Sequence, residues 1–196
     1  MCRFIESIKI ISGVLINLPY HQERVNRTFA HKFAGESPIN LGQKIQVHNQ
    51  QNKIFKCRVI YDVNHLTFAF IPYEIRKINT LKIVECPPIN YSYKFENRLV
   101  LDQAFMKREY CDDIIIIQNG LVTDSYYANL VFSDGQQWYT PESPLLKGTK
   151  RQQLLDSGEI TTMPITKDDI REFKTVSLIN SMLDLATVSV DSSCIF

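Results

Sequence analysis

The scarcities of this sequence narrow the field before its motifs do. No sign of charge dominates: 22 basic and 21 acidic residues leave a net charge of +1. No basic stripe or tail is visible, so nucleic acid and other polyanions have no electrostatic support as partners. Cysteine is sparse and odd in number. Cys2, Cys57, Cys86, Cys111 and Cys194 are scattered with no Cys-x-x-Cys pair, which indicates neither a zinc site nor a disulfide framework and fits a reducing, cytoplasmic setting. The four histidines, His21, His31, His48 and His65, fall at no metal-ligand spacing, so no metal is expected, and His21 reads as structural. Long apolar runs are missing too. The stretch from Ile8 to Leu18 is broken by Lys9 and Gly13 and is preceded by Glu6. It is too short to span a bilayer, and reads as a buried strand and turn rather than a leader, so no membrane partner is expected.

What remains is an ordinary globular composition, 44% hydrophobic and 22% charged over 196 residues, enough chain for one large domain or two small ones. Phe4 to Ile11 reads as a strand, Ser12-Gly13 as its turn and Val14 to Leu18 as a hairpin partner. Pro19 opens a helix to about Phe33, with Val25, Phe29 and Phe33 at helical spacing. Strands are expected over Lys53 to Asp62, His65 to about Ile75, and Leu81 to Cys86. Pro87-Pro88 supplies no backbone donor and is expected to divide a small domain, 1–87, from a larger one, 88–196. In the larger domain Asn97 to Arg108 suits a helix, with Leu99, Ala104, Phe105 and Met106 giving an apolar side. The four isoleucines within Asp112 to Gln118 suggest a central strand buried on both faces. Asn119-Gly120 and Asp134-Gly135 are tight-turn dipeptides between short strands over Leu121 to Thr123, Asn129 to Phe132 and Gln136 to Tyr139. Thr149 to Leu155 is expected as a helix and Thr161 to Ile165 as a strand. Thr166 is placed to cap a helix through Phe173, before a last strand over Thr175 to Asn180. The class is α+β.

One stretch carries chemistry: Tyr91-Ser92-Tyr93-Lys94-Phe95-Glu96-Asn97-Arg98-Leu99. A lysine against aromatic walls loses hydration, which favours its neutral, nucleophilic form. By itself the same pattern suits a strand lysine whose stem lies along apolar surface. Farther on come Asn119-Gly120-Leu121-Val122-Thr123-Asp124-Ser125-Tyr126-Tyr127-Ala128-Asn129-Leu130, then Thr140-Pro141, Pro144-Leu145-Leu146 and Gly148-Thr149-Lys150-Arg151. With Phe4-Ile5-Glu6-Ser7-Ile8-Lys9 and His21-Gln22-Glu23-Arg24-Val25 upstream, the order and spacing resemble the class IV aminotransferases. These are the fold-type IV pyridoxal-phosphate enzymes, among them aminodeoxychorismate lyase and the branched-chain and D-amino-acid aminotransferases.

The resemblance implies a two-domain fold like that of D-amino-acid aminotransferase, with a shortened N-terminal domain and the active site between the domains. It implies pyridoxal 5'-phosphate as cofactor, held by Lys94 as a Schiff base. Asp124 matches the acid that pairs with the pyridine nitrogen, although the family normally has glutamate there; its other reading is a turn acid. Arg24 matches the arginine that grips the phosphate, where the alternative is a solvated helix arginine. Gly148-Thr149 matches a phosphate-binding helix start, with the threonine one place earlier than usual. Asn180-Ser181 matches a second phosphate turn, or else simply ends a strand. Asn129 completes the implied cofactor set.

Lys94-Phe95-Glu96-Asn97-Arg98-Leu99 and Ala128-Asn129-Leu130 look most like the lyase branch. The activity implied is that of 4-amino-4-deoxychorismate lyase, a step of folate biosynthesis releasing pyruvate and an aromatic amine. A class IV amino-acid aminotransferase and a cofactor-binding protein without turnover are the alternatives. The implied partners are a small amino substrate and a second copy of the chain, as a homodimer.

Overall fold

Alternation along Phe4–Ile11 sets the first layer. Phe4, Ile8 and Ile10 are fully buried on one side of this strand, β1, and Glu6 shares their parity, which puts a carboxylate in an apolar core. In the computed structural model, which describes residues 2–47 and 53–196, β1 is the second strand of an antiparallel sheet. β2 (Val14–Leu15) lies on one side of it, and β3 (Phe55–Tyr61) and β4 (Leu66–Pro72) follow on the other. Ser12 and Gly13, at φ 48° and 80°, make the tight turn. The hairpin partner is shorter than expected because Asn17 already takes a left-handed conformation and starts α1, Leu18–Lys32. Val25 and Phe29 of α1 pack on Phe4, Ile8, Cys57 and Val59, and a short helix, α2 (Leu41–Lys44), adds Leu41. His48 lies outside the described residues.

The described chain forms two compact units, Met1–Ile75 with Tyr93–Asn97, and Arg76–Ser92 with Arg98–Phe196. β5 (Leu81–Glu85), which the sequence places in the smaller domain ahead of Pro87-Pro88, pairs in parallel with β6 (Asp113–Gln118) and belongs to the second unit. The isoleucines Ile114 to Ile117 are all buried, as a strand covered on both faces requires. Asn119 and Gly120, both at positive φ, turn β6 into β7 (Leu121–Val122). A five-stranded sheet packs against these strands. It consists of β8 (Asn129–Ser133), β9 (Trp138–Pro141), β10 (Thr161–Met163), β11 (Thr175–Ile179) and β12 (Ser189–Asp191), in the order β10-β9-β8-β11-β12. Their shared core includes Ile115, Ile117, Val122, Leu130, Phe132, Val176 and Leu178.

Two expectations need correction. The helix expected over 97–108 is α3, Leu99–Phe105, followed by a 3-10 turn. Its buried side keeps the expected Ala104 but takes Leu101, whereas Leu99 and Met106 are 60% and 75% exposed; tertiary packing chooses among the apolar residues of this stretch. The segment behind Thr166 is a 3-10 helix, Asp168–Glu172. Thr166 donates its hydroxyl and its N–H to Asp169; these local bonds hold the turn tight. No helix among the described residues is long and apolar enough to cross a membrane.

Asp113, at the start of β6, is fully buried. Its Oδ1 accepts from the N–H groups of Ile114 at 2.7 Å and Tyr126 at 3.3 Å, and its Oδ2 has no hydrogen-bond partner among the described residues. Burial pushes this carboxyl up to about 6, against those two bonds and the charges of Arg76 and Arg98. An unfolded aspartate titrates near ~3.9. The folded protein therefore holds the extra proton between those values. Asp113 contributes stability that is fully present below ~3.9 and is lost as pH rises through about 6, roughly 3 kcal/mol in all. The difference in unfolding free energy between Asp113→Asn and the native chain, followed by urea denaturation from pH 4 to 7, is expected to grow in the variant's favour across that window. A difference independent of pH would refute the assignment.

Candidate active site

In the first unit the site residues grow from β1 and one face of α1. His21, Arg24 and Thr28 stand at i, i+3 and i+7 on α1, interleaved with Val25 and Phe29 on its buried side. Across from them Glu6 accepts Nε of Arg24 at 2.7 Å on Oε1 and Nη2 on Oε2, a two-pronged pair. The same Oε2 lies 2.6 Å from Nδ1 of His21. Glu6 and His21 are fully buried and Arg24 is 5% exposed. Burial alone would raise Glu6, but the Arg24 charge and the bonds from Arg24 and His21 prevail and hold it down to about 2. Burial, with help from the charges of Arg24 and Lys94, pulls His21 below its usual value, against the opposing pull of Glu6. Arg24 is thus neither solvated nor a lone cation.

Lys94 belongs to this unit as well. Its segment is tied to β1 by the backbone: Ile5 donates its N–H to the Lys94 carbonyl at 2.9 Å, and Glu96 donates to Arg3. The rings of Phe95 and Phe4 lie 5.1 Å apart, and Tyr93 joins the same cluster. The aromatic flanks anticipated from sequence therefore anchor the segment to the core, and the lysine side chain is half-buried between anchored neighbours.

In the second unit Asp124 leaves the β7 region and is 6% exposed. Its carbonyl accepts from Ile116 of β6. Its carboxylate is held at both oxygens: Oδ1 accepts from Nδ2 of Asn129 at 2.7 Å, and Oδ2 from the N–H of Leu146 at 2.9 Å. Nδ2 of Asn129 also donates to the Leu146 carbonyl at 2.8 Å. These bonds close a ring through Asp124, Asn129 and Leu146 and seat the loop that leads into α4, Thr149–Asp156. Gly148 sits at the cap position of α4. A Cβ there would come within 2.0 Å of Oδ1 of Asn129, so glycine is required by the close approach. No side chain caps this helix start, and an uncapped start presents N–H donors and a partial positive charge. Thr149 is buried beside it. Lys150 pairs with Asp184 at 2.6 Å, and Arg151 donates to Thr140 at 3.2 Å and to the Pro141 carbonyl at 2.8 Å. Burial lowers Arg151, against the opposing pull of the Asp124 charge.

Asn180 follows β11, and its Oδ1 accepts from the N–H groups of Met182 and Leu183 at 2.8 and 3.1 Å. Its side chain closes its own turn, and Ser181 sits on that turn, half-buried. Arg24 and Lys94 thus lie in the first unit, and Asp124, Asn129, Gly148, Thr149, Asn180 and Ser181 in the second. The sequence pattern assigned no role to Glu6 and only a structural one to His21. The signal was present: a carboxylate at the inward parity of an apolar strand, and a histidine and an arginine on the apolar stripe of the helix that covers it. Among the described residues no group of three His, Cys, Asp or Glu side chains could hold a metal ion.

Comparison with known proteins agrees with this architecture. The family model for amino-transferase class IV matches residues 61–190. An uncharacterised protein of Haemophilus influenzae is 36% identical over 181 residues, covering 90% of this chain and 96% of its own. A solved structure from Haemophilus somnus 129PT, described as a candidate 4-amino-4-deoxychorismate lyase, is 32% identical at a TM-score of 0.89 and covers 94% of this chain and 98% of its own. A Mycobacterium tuberculosis structure, described as a hypothetical aminotransferase in its PLP-bound form, has a TM-score of 0.81 at 16% identity, over 99% of this chain and 82% of that one; at that identity it speaks for the fold alone.

Proposed function

This chain belongs to the amino-transferase class IV family, and from that premise we propose that it is a pyridoxal-phosphate-dependent lyase of the 4-amino-4-deoxychorismate lyase type. The observation that carries the proposal is the Asp124 carboxylate, buried and held at both oxygens, by Asn129 and by the loop that ends at an uncapped helix start. Each donor type present suits one part of the cofactor. The backbone N–H groups at Gly148 and Thr149 and the guanidinium of Arg24 suit an anionic phosphate ester. Asp124 suits a protonated pyridine nitrogen, because an ionised carboxylate still has lone pairs beyond those taken by Asn129 and Leu146. Lys94 suits the aldehyde. When bound, the cofactor supplies an electron sink for negative charge developing at the substrate's α-carbon.

The protein's own part is to hold and to move protons. Asp124 would hold a proton at the ring nitrogen, and its bonds from Asn129 and Leu146 keep it from turning away. Lys94 would supply the amine that holds the cofactor's aldehyde and would serve as the base for a substrate's α-proton. Asn129 orients Asp124, and the absent side chain of Gly148 makes room for its amide.

The test is direct. The purified protein, supplied with pyridoxal phosphate, is expected to absorb in the visible range, and borohydride is expected to fix the cofactor to the peptide that contains Lys94. Label on Lys82 or Lys107 instead would reject the assignment. Incubated with an aminodeoxychorismate-type substrate, the loaded protein is expected to release pyruvate without an added keto acid. Amino transfer that depends on a keto acid would place the chain in the aminotransferase branch, and cofactor binding with neither reaction would leave a binding protein.

A further inference from the structure

Two side chains of the first unit, Glu6 and His21, have no part in the chemistry above, although both are fully buried and both meet Arg24's own cluster. An ionised carboxylate can only accept hydrogen bonds. Glu6 takes two from Arg24, so the contact at 2.6 Å requires that His21 carry its proton on Nδ1. The neutral imidazole then turns an acceptor, Nε2, the other way. That atom is buried and has no hydrogen-bond partner among the described residues. A buried polar atom without a partner is uncommon in a folded protein and asks for an explanation. The guanidinium is constrained in the same way. A two-pronged bond to one carboxylate fixes its plane and the direction of its outer edge, which a single bond would leave free to swing.

We infer that Glu6 is a positioning residue for cofactor binding: it orients Arg24 toward the phosphate ester and locks His21 in the tautomer that presents Nε2 as an acceptor. This rests on the reading that Arg24 takes the phosphate. The consequence is selective. Glu6 acts on the part of the cofactor that Arg24 recognises, and so it matters for pyridoxal phosphate and not for pyridoxal, which lacks the ester. A carboxylate that merely supports the fold affects both alike.

The experiment titrates the full-length protein with pyridoxal phosphate and with pyridoxal, reading absorbance of the bound form, beside a melting curve for each variant. Glu6→Gln keeps the shape of the side chain and removes the charge. It is expected to weaken pyridoxal phosphate about tenfold or more and to leave pyridoxal within about twofold of native. Equal loss for both ligands, or no loss for either, overturns the inference. Arg24→Ala separates the two claims. If it erases the preference for the phosphorylated ligand and Glu6→Gln does not, Arg24 stands and the role of Glu6 falls; if Arg24→Ala leaves the preference intact, the reading of Arg24 itself is at fault. Should Glu6→Gln fail to fold, Glu6→Asp retains the charge but draws the carboxylate back by one methylene. It is expected to show the same selective loss in smaller degree, and a native ratio of the two affinities would refute the proposal.

Discussion

Lys94→Ala is expected to lower turnover by about 10³–10⁴-fold or more, with little change in melting temperature. The two halves of that expectation come from different atoms of the residue. The structural work at this position is done by the backbone, through the bond from Ile5 to the Lys94 carbonyl and the neighbouring bond from Glu96 to Arg3. The packing is done by the flanking rings, Phe95 against Phe4 and Tyr93 in the same cluster. Truncation at Cβ leaves all of these in place. What disappears is the side chain beyond Cβ with the contacts it makes, and with it the amine, which the proposed reaction uses twice, as the point of attachment and as the base. Added small primary amines are expected to restore part of the lost activity, because they can take the chemical role but not the position. Near-native turnover in Lys94→Ala would show that some other amine does the work. A large fall in melting temperature together with activity would show that the lysine side chain is part of the fold.

The fold and the site were legible in the sequence to different depths. Strands with a plain apolar pattern announced themselves: Phe4–Ile11, the unbroken isoleucine run of Asp113–Gln118, and hairpins marked by Ser12-Gly13 and Asn119-Gly120 at positive φ. Local chemistry suffices there, since a turn dipeptide that ends in glycine and a short apolar run need no distant partner to be recognised. The start of α3 was misjudged because its apolar residues suit more than one register, and the burial of Leu101 in place of Leu99 is decided by tertiary packing. Leu81–Glu85 was readable as a strand, but its partner was not, because a parallel pairing with Asp113–Gln118 is settled by a long connection rather than a turn. At the site the residues proposed to meet the cofactor could be matched one by one to a family pattern. The bonds behind them could not. Parity puts Glu6 and Arg24 on facing buried sides, but their bond and that of Leu146 to Asp124 join residues 18 and 22 apart, and no spacing in the sequence encodes such pairings; Asn129 lies only five residues from Asp124, and its bond depends on the local turn.

Asp124→Asn is expected to reduce turnover by about 10²–10³-fold while cofactor still attaches to Lys94. The charge argument is simple: a carboxylate beside a ring nitrogen favours the protonated nitrogen, and an amide does not. The hydrogen-bond ring adds a second effect that must be separated from the first. Both groups bonded to this carboxylate, Nδ2 of Asn129 and the N–H of Leu146, are donors. An asparagine offers one oxygen and one NH₂, so one of those donors would face another donor. That mismatch is expected to cost about 1–3 kcal/mol of stability, which a melting curve reads independently of activity. Asp124→Glu distinguishes the two effects. It keeps both acceptor oxygens and the charge, and it places at this position the residue that the family resemblance calls for. It is expected to retain substantial turnover if the Asn129–Leu146 ring yields enough for one more methylene. The measurements are steady-state turnover, absorbance of the bound cofactor and thermal stability for the three proteins. Loss of turnover in Asp124→Asn beyond what its stability explains, with recovery in Asp124→Glu, supports the acid at the ring nitrogen. An Asp124→Asn protein that is destabilised yet turns over at a near-native rate would reduce Asp124 to the keystone of its loop, and the proton on the ring nitrogen would have to be held by a different group.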